Sequence, residues 1–140
     1  MVMRKTNAIA FLCIFTAGLL VFVPQVQAQT TDEQKQALIG EWTGVWPGVI
    51  PAIATLVIHE IDAANGKARC TYTTAQRGEK QFPVLADFFP GPNPKLEFKL
   101  EGEEYTFFLK KNILEGAFKG MDAYGKFVSS TTKMEKKLKK

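Results

Sequence analysis

From Glu41 onward, apolar and polar residues alternate in short runs, the period-two signature of strands with one face in a core and one in water. The clearest run is Lys95 to Glu101. There Leu96, Phe98 and Leu100 alternate with Lys95, Glu97, Lys99 and Glu101. Glu104 to Lys110 repeats the pattern with Tyr105, Phe107 and Leu109 inward and Phe108 outward, and Ile113 to Lys119 places Leu114, Gly116 and Phe118 on one face. Lys67 to Thr74 sets Ala68, Cys70 and Tyr72 against Lys67, Arg69, Thr71 and Thr73. Four further runs read as strands: Glu41 to Trp46, Ala52 to Ile61, Gln81 to Phe89 with Pro83 inside it, and Lys126 to Met134. Turn residues separate them. Asn65-Gly66 predicts a type I′ hairpin, and Pro90 to Pro94 predicts a stiff connection without ladder pairing. Before the first strand, Thr30 to Leu38 predicts a short helix capped by Thr31 or Asp32, with Gly40 just past its end.

About eight short strands joined mostly by tight turns predict an all-β fold, a small up-and-down antiparallel β-barrel with a short N-terminal helix. Closure of the barrel removes the exposed edges that would otherwise template aggregation. No long helical stretch is available for a βαβ crossover.

The pattern of the first residues differs. Arg4 and Lys5 precede an apolar run from Ala8 to Val23, Pro24 ends it, and Val26-Gln27-Ala28 offers small residues at the positions a signal peptidase reads. This predicts a signal peptide over 1–28, cleavage after Ala28, and a secreted or periplasmic protein. The apolar run is shorter than the ~20 residues of a spanning helix, so no stable membrane span is expected after cleavage. Cys13 lacks the small preceding residue of a lipidated cysteine. The remainder divides into a barrel over 29–134 and a Lys-rich tail over 135–140.

Charge separates the body from its end. Residues 29–132 carry 11 Lys and Arg against 13 Asp and Glu, whereas 133–140 carry five Lys against Glu135. The basic excess is therefore terminal, and a short terminal Lys run reads first as a solvated end. Basic residues are not interleaved with aromatics on one face, so nucleic-acid binding is not expected.

Candidate chemistry is sparse. After cleavage Cys70 is the single cysteine, which excludes an internal disulfide and a two-Cys metal site, and it reads as a buried core thiol. His59 is the only histidine. A Cys70–His59 pair across one hairpin is the nearest approach to a nucleophilic site, and His59 with Glu60, Asp62 or Asp122 the nearest to a metal site; neither spacing is specific. Ser129 and Ser130 are adjacent in the last strand and form no nucleophile elbow, and Glu103 and Glu104 point apart as neighbours in an extended chain. No catalytic residue, metal or cofactor is expected, and the chain reads as non-enzymatic.

With the strands placed, the run Gly40-Glu41-Trp42 after a short helix resembles the opening of the calycin-like barrels: lipocalins, fatty-acid-binding proteins and their bacterial lipocalin-like relatives. The fuller Gly-x-Trp-x-Gly-x-Trp run to Trp46, with Leu114-Glu115-Gly116-Ala117-Phe118 later, is similar to bacterial secreted domains of uncharacterised function. The resemblance implies that Trp42 plugs one end beneath a basic side chain from the last strand, for which Lys133 is the candidate where lipocalins generally carry Arg. It also implies a small apolar or amphipathic ligand at the open end. Trp46, Tyr72, Phe98, Tyr105 and Phe107 would line the pocket, and Arg69 or Lys110 would lie near the rim. The alternative is a barrel filled by these same aromatics, acting through its outer surface by Phe108, the Pro90 to Pro94 loop and the Lys tail.

Overall fold

A computed structural model describes residues 30–48, 50–122 and 124–140. The signal peptide expected over 1–28 lies outside the described residues.

The chain forms a closed eight-stranded antiparallel barrel in simple sequence order, preceded by one short helix. Helix α1 spans Thr31–Leu38. The strands are β1 (Gly40–Trp46), β2 (Ala52–Asp62), β3 (Lys67–Thr74), β4 (Gln81–Phe89), β5 (Lys95–Leu100), β6 (Glu103–Lys110), β7 (Ile113–Met121) and β8 (Phe127–Lys136). The expected fold class is therefore the observed one. β8 pairs with both β7 and β1, which closes the cylinder. No helix among the described residues is long and apolar enough to cross a membrane.

Each strand follows its alternation except β2, which slips at His59 and Glu60, both exposed. In β3 the buried positions are Ala68, Cys70, Tyr72 and Thr74, and in β6 they are Tyr105, Phe107 and Leu109. The helix is capped by Thr30 rather than by the expected Thr31 or Asp32. Thr30 accepts from the Glu33 backbone N–H and Glu33 reaches back to Thr30, a reciprocal capping box. The Asn65-Gly66 turn departs from type I′, because only Gly66 takes a positive φ, at 62°. Asp62 instead holds Asn65 through its backbone N–H and its side-chain amide.

Up-and-down order puts alternate connections on opposite rims. The connections over 47–51, 75–80, 101–102 and 122–126 form one rim. Those over 63–66, 90–94 and 111–112 form the other, and α1 covers it. The Pro90 to Pro94 connection serves that cover rather than standing free: the Gly91 N–H donates to Gln34 Oε1 on α1, and Pro94 is fully buried.

The doubled glycine–tryptophan run marks the closure of the barrel. A Cβ on Gly44 would lie 2.7 Å from the Lys133 carbonyl oxygen, and one on Gly40 would lie 2.6 Å from Lys136 Cε. At Gly44 β1 therefore approaches the β8 backbone more closely than a side chain permits, whereas at Gly40 the space is taken by the Lys136 side chain.

Candidate functional site

Two features of the barrel concern its possible chemistry: its covered end and its opposite mouth. At the covered end Trp42 is 1% exposed, and its indole N–H donates to the Leu38 carbonyl at 2.8 Å. The cation over its ring is Lys136, with Nζ 5.5 Å from the centroid. This corrects the expectation of Lys133. In β8 the buried residues Thr132 and Met134 fix even-numbered positions as inward, so Lys133 points out and Lys136 points in. Lys136 Nζ also donates to the carbonyls of Gln36 and Ala37, tying the last strand to α1. Burial, together with the nearby Lys139 charge, lowers the Lys136 pKa. The strand thus runs through Lys136, beyond the expected boundary at 134, and only 137–140 trail from it.

At the mouth the five expected ligand-lining aromatics come together. Trp46, Tyr72, Phe98, Tyr105 and Phe107 are at most 6% exposed. They pack against one another, and Phe98 and Tyr105 also border a concavity of about 440 Å³ whose other lining comes from β3 to β7. Phe98 stacks on Tyr105 at 5.1 Å and on Phe107 at 5.9 Å between centroids. Tyr72 lies 4.9 Å from Tyr105, and Trp46 meets the edge of Phe118 at 5.3 Å. The Trp46 indole N–H donates to the Tyr72 hydroxyl at 2.8 Å. Burial, partly offset by bonding with Trp46 and Tyr105, pushes Tyr72 up to about 12. Every buried side-chain polar atom among the described residues has a partner.

Arg77 closes this mouth, and the sequence reading did not single it out. It ends the short 3-10 turn Ala75–Arg77 between β3 and β4. One guanidinium nitrogen donates to Glu101 and the other to Glu103 Oε2 at 2.7 Å. The Tyr105 hydroxyl donates to that same Glu103 oxygen at 2.6 Å. Burial by itself lowers the Arg77 pKa, but the bonds to Glu103 and Tyr105 outweigh it and the net direction is upward. Burial and the adjacent Glu103 raise Tyr105 as well. The partners of Arg77 lie 24 and 26 residues away, so no local pattern announces the clasp.

The expected rim cations are elsewhere. Arg69 is exposed on the outer wall and pairs with Glu60 at 3.0 Å; Lys110 is likewise outside and pairs with Glu115 at 3.2 Å. Both belong to the half of the barrel nearer α1.

The nucleophilic and metal alternatives do not assemble. His59 is exposed beside the irregularity between Ile58 and Glu60, with Nε2 2.8 Å from Thr71 Oγ1. Cys70 faces inward at 1% exposure, and burial pushes its thiol up to about 12. The two therefore sit on opposite faces of the sheet. Asp62 is engaged with Asn65, and Asp122 Oδ1 accepts from the Tyr124 and Lys126 backbone N–H groups.

The outer wall carries another concavity. A groove of about 710 Å³ crosses β6, β7, β8 and β1, lined by Val45, Pro47, Pro51, Phe108, Ala117 and Lys133 among others. Comparison with known protein families, characterised proteins and solved structures finds no match to this chain.

Proposed function

We propose that this chain is an exported, calycin-like barrel that acts through its outer surface and carries no ligand inside. The observation that supports this reading most is the mutual contact of Trp46, Tyr72, Phe98, Tyr105 and Phe107. Eight-stranded barrels have interiors that side chains alone can occupy, and contacts among five inward rings support that reading here. The Arg77 clasp at the mouth and the Trp42–Lys136 plug at the other end add to the argument. The leader-like composition of residues 4–28 supports export to a secreted or periplasmic location.

Tryptophan fluorescence tests the reading. Both indoles are buried, so titration of residues 29–140 with fatty acids or a hydrophobic dye is expected to leave the emission maximum in place. A saturable shift of that maximum would return the interior to the role of ligand pocket and overturn the proposal.

A further inference from the structure

The groove across β6, β7, β8 and β1 has the composition of a binding site for one kind of molecule. Its floor is made of small outward residues: Ala117 and Thr131 are directly paired across β7 and β8. Its walls are apolar, with Phe108 on one side and Val45, Pro47 and Pro51 on the other. Phe108 and Val45 are 36% and 48% exposed, so both present apolar surface to solvent. Three charged residues belong to the lining. Lys110 and Glu115 neutralise each other at 3.2 Å. Lys133 has no ion-pair partner among the described residues, although Glu115 is its cross-strand neighbour. The lining therefore carries a net charge of one unit, positive and located at Lys133.

We propose that this groove binds a small acidic amphiphile, an apolar chain ending in a carboxylate. The chain would lie over Ala117 and Thr131 between Phe108 and the Pro47–Pro51 side, and the carboxylate would pair with Lys133. Glu115 lies opposite both Phe108 and Lys133, so these two residues stand two strand spacings apart, about 10 Å. That separation accommodates the headgroup and the first part of an alkyl chain. The volume is within the range of small-molecule sites. The proposal rests on the outer-surface reading, since an occupied interior would leave the groove without a necessary role.

The test is a ¹⁵N-resolved NMR titration of residues 29–140 with sodium dodecanoate below its micellar concentration, with dodecyltrimethylammonium as the arm of opposite charge. Expected are saturable shifts centred on Val45, Phe108, Ala117 and Lys133, with dodecanoate binding more tightly than the cation. Lys133→Gln should weaken dodecanoate about fivefold, the upper end for one exposed ion pair, and should not weaken the cation, whose repulsion it relieves. Phe108→Ala should weaken both amphiphiles. Lys133 and Phe108 are outward residues, and unchanged spectra away from the groove will certify that each variant folds. Absence of shifts on this wall, or equal affinity for the two amphiphiles, overturns the groove proposal and leaves the filled-barrel reading intact. Large shifts of the Trp46 indole N–H and Tyr72 with a silent outer wall overturn the filled-barrel reading itself.

Discussion

Trp42 is held at three points. Its indole N–H reaches the Leu38 carbonyl, Lys136 lies over its ring, and the ring is almost wholly removed from water. Trp42→Ala is therefore expected to cost about 3–5 kcal/mol in denaturant unfolding, the usual range for truncating a buried large aromatic. A loss under about 1 kcal/mol would show that the residue is not the plug. Gly44 is a second sensitive position. An added methyl would meet the Lys133 carbonyl oxygen at 2.7 Å and Met134 Cγ at 2.8 Å. Gly44→Ala must push β1 and β8 apart, so about 1–3 kcal/mol of destabilisation is expected by the same measurement. The inward role of Trp42 was legible in the alternation of Glu41 to Trp46. The identity of its cation was legible only in part: Met134 is apolar, and its parity already assigns Lys133 to the outside and Lys136 to the inside.

Among the elements, β4 and β5 are joined, like β1 and β8, by a ladder of three residue pairs. They pair only from Asp87 to Phe89 against Lys95 to Glu97, while β3 pairs with β4 along Gln81 to Asp87. Pro83, which lacks an N–H to donate, falls in the part of β4 that has no partner on the β5 side. The Arg77 bonds to Glu101 and Glu103 bridge from the β3–β4 connection to the β5–β6 turn, above this divergence. Side-chain bonds thus do there what ladder bonds do elsewhere. Arg77→Ala should cost about 1–2 kcal/mol, since Glu103 loses a charge-assisted bond while Glu101 regains water. Amide hydrogen exchange should rise along 81–86 and 98–100 ahead of the rest of the sheet. Uniform exchange across all strands would mean that the clasp does not hold this seam. Lys67→Ala, which removes a pair exposed on both sides, should change stability by less than about 1 kcal/mol.

For the molecule as a whole, the buried acids make alkaline pH the sensitive direction. Cys70 is raised from 9.0 to about 12 and Tyr72 from 10.0 to about 12, both by burial. Between the unfolded and folded values the unfolded chain has released the proton and the native chain has kept it. Stability from these groups is therefore complete below about pH 9 and declines progressively toward pH 12. Urea midpoints measured from pH 7 to 11 should fall above pH 9, and Cys70→Ala should remove part of that slope. The folded protein should also resist thiol reagents at pH 8 until denatured.

The sequence by itself determined the strands, their inward faces and the up-and-down order. These depend on near neighbours: residues two apart share a face, and tight turns force consecutive strands together. It also brought Trp46, Tyr72, Phe98, Tyr105 and Phe107 onto the inside. The tertiary structure decided which of those rings meet one another, since that depends on how eight strands converge on one axis. It likewise brought Arg77 across the mouth and set Lys133 two strands from Phe108. Each of these placements follows from registers between strands remote in sequence, which local alternation does not encode.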